Sequence, residues 1–240
     1  GQMSRSGWYT EVHRKTEASR LRRSRAKARD GLLRVFRAYG SQIRGLLRAH
    51  GIRVGKVSAG EFTHRVRELV AKHAPEMEGF IEPLLSGWAH ARRAADELRD
   101  VIAVQSEQDP TCQLLMSVPG VGPLVSNAFV ATIDDPHRFR RSAEVAAYVG
   151  LTPRVHQSGE VEFRGRISKE GDEMLRYLLV EAATVMLSRV KKMFALREWG
   201  LKLVKKIGVA KARVAVARKL AMLLHRLWIT GKRFDPGYAV

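Results

Sequence analysis

The sequence is poor in cysteine and in long apolar runs, and each shortage excludes a class of protein. The single cysteine, Cys112, has no partner for an internal disulfide bond, so we expect a reducing compartment and a thiol that packs as a small apolar residue. No apolar run is long enough to span a bilayer, and no signal peptide or lipidation motif is recognisable. These absences predict a cytoplasmic protein.

The chain also has few acidic residues for its number of basic ones. It carries 43 Lys and Arg against 24 Asp and Glu, a formal charge of +19 with a pI near 10.8. The first 60 residues contain 15 basic residues and only three acids. Such a surplus favours a polyanionic partner, and we expect that partner to be nucleic acid. A membrane surface is the alternative polyanion, but no sustained amphipathic aromatic face supports it.

Motifs for metals and cofactors are absent as well. There are no paired Cys and His zinc ligands, no Walker-type phosphate-binding loop and no dinucleotide fingerprint. The acidic pairs have simple interpretations as turn, strand-surface and helix-cap residues: Asp134/Asp135, Glu160/Glu162 and Asp172/Glu173. The sequence therefore predicts no metal and no cofactor in this chain.

Helical periodicity dominates the first half of the chain. Between Thr16 and His50, apolar or small residues recur at three- and four-residue spacing, with one gap that Arg25 fills: Ala18, Leu21, Ala28, Leu32, Val35, Tyr39, Ile43 and Leu46. A second helix, from about Pro75, has a stricter alternation: Met77, Ile81, Leu84, Trp88, Ala91, Ala95, Leu98 and Ile102. This is the pattern of a coiled-coil seam, so residues 16–108 are predicted to form a helical arm after a linker over residues 1–15. The two helices could pair with each other or with a second subunit.

The segment 114–133 predicts a short helix, a hairpin and a second helix. The hairpin reads Pro119-Gly120-Val121-Gly122-Pro123, and glycine at two positions leaves backbone N–H groups uncovered. Together with the start of the following helix, they suit a phosphate oxygen. This is the pattern of a helix-hairpin-helix element that binds nucleic-acid backbone, although an ordinary αα-hairpin also needs glycine for its geometry.

Residues 109–240 are predicted to form a compact domain after a joint at 107–110. A helix is expected near Ser142–Tyr148. The loop 150–170 lacks helical periodicity, and Ser158-Gly159 lies between two short extended runs, which predicts a β-hairpin. A helix capped by Asp172 and a last helix from Val209 to Trp228 follow. The spacing of apolar residues predicts the inward face of the last helix: Ala212, Val216, Leu220, Leu223, Leu224 and Leu227. The expected fold is mainly α, with one small β-hairpin.

Ser158 is the candidate for chemistry because a hydroxyl on a glycine turn stands clear of the backbone. Basic residues that could bind DNA or stabilise charge on an attacked phosphodiester surround it in the sequence: Arg154, Arg164, Arg166, Lys169 and Arg176. His156 could act as a base. From these residues alone, a turn serine beside a DNA-contacting basic loop is the more common interpretation.

Several motifs in order resemble the transposase domain of the insertion sequence 110/116/902 family. They are Pro119-Gly120-Val121-Gly122, Asp135-Pro136-His137-Arg138-Phe139, Tyr148-Val149-Gly150-Leu151-Thr152-Pro153-Arg154, Ser158-Gly159, Gly165-Arg166-Ile167-Ser168-Lys169-Glu170-Gly171-Asp172 and Leu175-Arg176. The upstream segments Gly7-Trp8-Tyr9 and Ile43-Arg44-Gly45-Leu46-Leu47 resemble that family's linker and coiled-coil region.

The resemblance implies a DNA recombinase that is guided by a structured RNA and works as a dimer or higher oligomer in the bacterial nucleoid. It implies that Ser158 is the nucleophile that forms a covalent link to DNA. Family members often carry two serines before the glycine, and Gln157 stands at the earlier position here.

The family also implies an RNase-H-like domain with four metal-binding acids, which would bind Mg²⁺. The sequence given starts at about the point where that domain ends, and none of its few early acids replaces the four. We therefore expect a truncated chain that is inactive alone, or one half of a system whose acidic domain is a separate polypeptide.

Two alternatives remain open. The chain could be a catalytically dead remnant that only binds nucleic acid and oligomerises. It could also be a structural helix-hairpin-helix protein of repair or chromosome organisation, which would bind without any requirement for RNA.

Overall fold

The computed structural model describes residues 13–158 and 161–237, and for residues 155–158 and 161–166 it describes the backbone alone. Contacts divide the chain into two compact units. One comprises Ser24–Gln105, and the other comprises the residues on either side of it. The described residues are mainly helical, as the periodicity predicts.

The unit of Ser24–Gln105 is built from helices. They are α1 Glu17–Ala49, which begins outside the unit, α2 Phe62–His73, the 3₁₀ turn Pro75–Met77, and α3 Glu78–Gln108. Trp88 lies at the centre of its core, with ring centroids 4.8 Å from both Phe36 and Phe62. Gly87 allows close packing, because a Cβ there would stand 2.8 Å from the ring of Tyr39. The aromatic cluster therefore ties α1, α2 and α3 together within this unit.

The predicted stripe of α3 is confirmed except at two positions, and that of α1 is partly wrong. On α3, Leu84 and Leu98 are only half-buried, and Leu85 is buried beside Leu84. On α1, the predicted inward residues Leu21 and Val35 are 59% and 45% exposed. The buried positions are Ser19, Ala26, Ile43 and Leu47, which lie on a face rotated by about one residue along most of the helix. Alanines at 18 and 28 misled the pattern, since alanine is tolerated on either face.

The other unit contains a helical core and one hairpin. Its elements are α4 Pro110–Met116, α5 Pro123–Ile133, the 3₁₀ turn Pro136–Arg138, α6 Ser142–Tyr148, β1 Pro153–Ser158, β2 Val161–Ile167, α7 Glu173–Ser188, α8 Ala195–Ile207 and α9 Val209–Thr230. Helix α9 packs against α6, α7 and α8, and α5 packs against α7. Every residue of α5 from Val125 to Ile133 is buried, so this helix is the centre of the core.

The sequence predictions for this unit are largely confirmed. The helix at 142–148, the hairpin, the cap at Asp172 and the inward face of α9 all appear as expected. Cys112 is fully buried on α4, and burial raises the pKa of its thiol. Helix α8 was not predicted. No helix in the described parts of the chain is long and apolar enough to cross a membrane.

Strands β1 and β2 are antiparallel. Their register pairs His156 with Phe163 and Ser158 with Val161, and it shifts between Pro153 and Val155. Ser158 is therefore the last residue of β1, directly before the turn. Residues 159 and 160, which would form that turn, lie outside the described residues.

Candidate nucleic-acid interface

Two glycines join the base of the β-hairpin to the helical core. Gly150 has a φ of 74° and Gly171 a φ of 89°, conformations that other residues rarely adopt. A Cβ on Gly150 would lie 2.0 Å from the carbonyl oxygen of Glu170, and a Cβ on Gly171 would lie 2.0 Å from that of Tyr148. The two chain segments therefore run backbone to backbone, with no room for a side chain at either glycine.

Backbone hydrogen bonds close the same base. The Ser168 N–H donates to the Thr152 carbonyl (2.8 Å), and the Lys169 N–H donates to the Gly150 carbonyl (3.2 Å). Lys169 itself has a φ of 59°, which non-glycine residues adopt only occasionally. The hairpin that carries Ser158 thus rises from a tightly packed base on α6 and α7.

The structure brings three of the predicted basic residues to this base. Arg154 donates through Nη2 to the Ser168 carbonyl (3.1 Å), and Arg176 donates through Nη1 to the Val149 carbonyl (2.9 Å). Lys169 is exposed. The Arg176 Nη1 also donates to the Glu170 carbonyl (3.4 Å). Each arginine uses one nitrogen in these bonds, which leaves other guanidinium donors for an anion.

The other predicted residues of the loop are placed only by their backbone. Arg164 pairs with Val155 in the strand register, and Arg166 lies on β2 near its end. The side chains of Ser158, Arg164 and Arg166 lie outside the described residues, so their roles remain predictions.

Asp172 connects the hairpin base to α7 and to α1. Its Oδ1 accepts from the Leu175 N–H at 2.8 Å, which confirms the predicted N-cap. Its Oδ2 forms an ion pair with Arg23, and the carboxylate is almost fully buried. The sequence predicted the cap but not the arginine, which lies about 150 residues earlier in the chain.

Gly120 and Gly122 have different surroundings in the α4–α5 hairpin. A Cβ on Gly120, whose φ is 96°, would lie 3.1 Å from the Ala182 carbonyl oxygen and 3.3 Å from Met186 on α7. A Cβ on Gly122 would meet nothing within 4 Å, and this residue is the N-cap of α5 without a capping side chain. Gly120 therefore serves the packing of the hairpin, whereas the open side of the hairpin is at Gly122.

A second set of polar contacts joins the start of α1 to the end of α5, and the sequence did not predict it. Asp134 accepts from the Thr16 N–H (3.0 Å) and the Thr16 hydroxyl (2.6 Å), and it contacts His13 Nε2 at 2.7 Å. Burial opposes the charge of Asp134, but these hydrogen bonds, with one from Ser19, hold the pKa of its carboxyl well below the usual range.

Lys15 completes this set at the C-terminal end of α5. Its Nζ donates to the carbonyls of Ala131 (2.7 Å) and Thr132 (2.6 Å), where a cation also complements the helix dipole. Burial first, and then the positive charge of Arg23, lower the pKa of Lys15 to about 8. No local pattern could predict these contacts, because the partners lie more than 110 residues apart.

Three acids of this unit already have hydrogen-bond or ion-pair partners. Asp134 and Asp172 are committed to hydrogen bonds and an ion pair, and Asp135 accepts from the His137 N–H at 2.8 Å. Among the described residues there is no group of three or more His, Cys, Asp or Glu that could hold a metal ion. The expectation that this chain holds no metal stays a prediction, because the side chains of Glu160 and Glu162 lie outside the described residues.

The sequence of this chain is similar to those of known transposases. Residues 112–197 match the family model described as Transposase IS116/IS110/IS902 family, a segment that runs from α4 into α8. The chain is 32% identical to the transposase for insertion sequence element IS1111A of Coxiella burnetii, over 84% of this chain and 56% of that relative. It is 28% identical to a probable family 20 transposase of Pseudomonas aeruginosa, over 88% of this chain and 64% of that relative.

A third relative is named for a different activity. The pilin gene-inverting protein of Moraxella bovis is 24% identical over 51% of this chain and 41% of its own length. The chain thus spans between about half and two thirds of the first two relatives. Residues 112–197 form a transposase domain of the IS116/IS110/IS902 family, which confirms the resemblance noted in the sequence.

Proposed function

We propose that this chain acts in DNA transposition or recombination, with Ser158 as the nucleophile. In this reaction the Ser158 oxygen forms a bond to phosphorus while the bond from phosphorus to the leaving sugar oxygen breaks. The serine proton passes to a base and the sugar oxygen gains a proton, so that a covalent phosphoserine link to DNA results.

The observation that carries the proposal is the position of Ser158 within the family domain. It ends β1 on a hairpin whose base is closed by Gly150 and Gly171, and Arg154 and Arg176 lie at that base. A rigid base is what positioning of a nucleophile requires, and nearby arginines suit the charge of a phosphodiester under attack. The relatives' names, transposase and gene-inverting protein, support DNA as the substrate.

The remaining parts of the proposal concern partners. Guidance by a structured RNA, assembly into a dimer or higher oligomer, and a separate polypeptide with a Mg²⁺-binding acidic domain follow from the family resemblance. The chain spans 56% and 64% of the length of the first two relatives.

The open side of the α4–α5 hairpin is proposed to contact the nucleic-acid backbone. Gly122 presents the start of α5 without a covering side chain, and no acid lies in the first turn of that helix. Backbone N–H groups at such a position suit a phosphate oxygen.

Trapping of the covalent adduct tests the proposed nucleophile. The chain, with and without its guide RNA, is incubated with a nicked duplex from the ends of its element, and denaturing gels show any protein linked to DNA. Ser158→Ala is expected to abolish the adduct and to leave DNA binding unchanged. Ser168→Ala, at a serine of the same hairpin base, is the matched control and should retain it.

Two results would contradict the proposal. An adduct that persists in Ser158→Ala would assign the nucleophile to another residue. Absence of an adduct from the wild-type chain, even with the acidic-domain polypeptide added, would favour the binding-only alternative.

A further inference from the structure

The turn between α8 and α9 carries an unbalanced positive charge. Lys205 and Lys206 lie in the last turn of α8 and Lys211 in the first turns of α9, and all three are exposed. Among the described residues none forms an ion pair with these lysines, since the nearby Glu198 pairs with Lys202. Between Ala195 and Phe234 the sequence has eleven basic residues and this one acid.

Helix stability accounts for Lys205 and Lys206 but not for Lys211. Cations in the last turn of α8 complement the dipole of that helix, so Lys205 and Lys206 have an ordinary structural role available. Lys211 lies near the N-terminal, positive end of α9, where no acid is present in the first turn and no side chain caps the helix. A cation there opposes the helix dipole, so helix stability does not account for it.

Apolar side chains project at the same turn. Ile207 is 39% exposed and Val209 is 46% exposed, on either side of Gly208. A Cβ on Gly208, whose φ is 81°, would meet nothing within 4 Å, so the turn is open on that side. Exposed β-branched residues between unpaired lysines are a feature of surfaces that contact a partner.

We propose that this turn, formed by Lys205, Lys206, Ile207, Val209 and Lys211, is a second DNA-binding surface that straddles the backbone of duplex DNA. The lysines would neutralise phosphates, and the two apolar side chains would lie at the edge of the minor groove. Charge complementarity selects a polyanion, and the paired apolar tip favours a groove over a flat lipid surface. The inference rests on the proposed function, which makes DNA the substrate.

The first test measures duplex binding by the full chain as a function of salt. The triple variant Lys205→Gln, Lys206→Gln, Lys211→Gln is compared with Lys27→Gln, Lys56→Gln, Lys72→Gln, which removes the same charge from the other unit. We expect the first variant to bind on the order of 100-fold more weakly at about 0.15 M salt and to lower the salt slope by about 2 to 3. Equal losses in the two variants would overturn the proposal, because net charge alone would then explain them.

The second test separates binding from folding. Lys211→Glu is expected to raise the melting temperature by about 1–3 °C, since an acid suits the start of α9, and yet to weaken duplex binding. Ile207→Ser should weaken binding without changing the salt slope. If the Lys211→Glu variant binds duplex DNA as well as the wild type does, the proposal that this turn binds DNA is wrong.

Two further measurements distinguish duplex DNA from other partners and test the DNA-binding surface separately from the chemistry of Ser158. Stronger loss of binding to double-stranded RNA, or to vesicles of phosphatidylserine, than to duplex DNA would assign the surface to that partner and overturn the proposal. Ser158→Ala is included in each assay. A chain that binds duplex through these lysines but forms no adduct would refute the proposed chemistry and leave the DNA-binding surface standing.

Discussion

Substitution of Gly171 by alanine should destabilise the base of the hairpin far more than its backbone conformation alone predicts. The new Cβ would lie 2.0 Å from the Tyr148 carbonyl oxygen, at least about 1 Å inside any acceptable contact, so the two segments must separate. A φ of 89° adds about 1 kcal/mol for a residue with a side chain. Separation also breaks the bonds that Lys169 and Arg176 make to Gly150 and Val149.

The loss of stability in Gly171→Ala is the sum of the lost hydrogen bonds and the backbone strain. Two hydrogen bonds at about 1 kcal/mol each, with the backbone strain, give a loss of about 3 kcal/mol in the free energy of unfolding. For a chain of this size that corresponds to a fall in melting temperature of roughly 6–12 °C. Urea unfolding followed by circular dichroism measures it.

Gly231→Ala provides the matched control. Gly231 lies in the same unit with a φ of 64°, but a Cβ there would meet nothing within 4 Å. This variant should lose only about 1 kcal/mol. If Gly171→Ala costs no more than Gly231→Ala, the close apposition of the two segments is wrong, and the argument for a rigid base under Ser158 fails with it.

Three further predictions concern other parts of the same unit. Gly120→Ala should lower the free energy of unfolding by about 1–2 kcal/mol because its Cβ crowds α7. Gly122→Ala should leave stability nearly unchanged and weaken binding of a single-stranded oligonucleotide. If urea unfolding shows that Gly122→Ala is the less stable variant, the different roles given to the two glycines are wrong. Asp172→Ala should lower the free energy of unfolding by about 2–3 kcal/mol, because it removes both the helix cap and the ion pair with Arg23. Asp172→Asn should lose about 1 kcal/mol less, because its amide oxygen still accepts the capping hydrogen bond. Equal losses in the two variants would show that the cap contributes nothing. The unfolded chain holds the Lys15 proton up to about its ordinary pKa of 10.5, and the folded chain holds it only up to about 8. Between these pH values the unfolding free energy of the wild type should therefore rise relative to that of Lys15→Met. A difference between the two proteins that does not change with pH would refute the lowered pKa.

The success of the sequence predictions followed the strength of the local signal. Asp172 was predicted as a cap because an acid directly before an apolar helical stripe is a local pattern, and its bond to Leu175 confirms it. The hairpin was predicted from the Ser-Gly turn between extended runs. The buried face of α9 was predicted from spacing alone. Each of these depends on residues within a few positions of one another.

The errors arose where burial depends on a partner element. Leu21 and Val35 fit the periodicity of α1 as well as the residues that are buried, and only packing against other elements distinguishes the two faces. Helix α8 was missed although Leu196, Trp199, Leu203 and Ile207 recur at helical spacing, a local signal that could have found it. The phosphate-binding role of Gly120 stays a prediction, and only the folded chain reveals its close approach to the carbonyl of Ala182 and the side chain of Met186.

The sequence alone was sufficient to predict the mainly α class, the position of Ser158 at a turn, the excess of positive charge and the transposase family. All of these depend on spacing, composition or ordered motifs along the chain. The close packing of Gly150 and Gly171, the contacts of Asp134 with the start of α1, and the pairing of Arg23 with Asp172 required the folded chain. These contacts join residues whose separation along the sequence, from about 20 to about 150 positions, carries no periodic signal. Backbone approach and desolvated charge are properties of three-dimensional neighbours, and only folding brings those neighbours together.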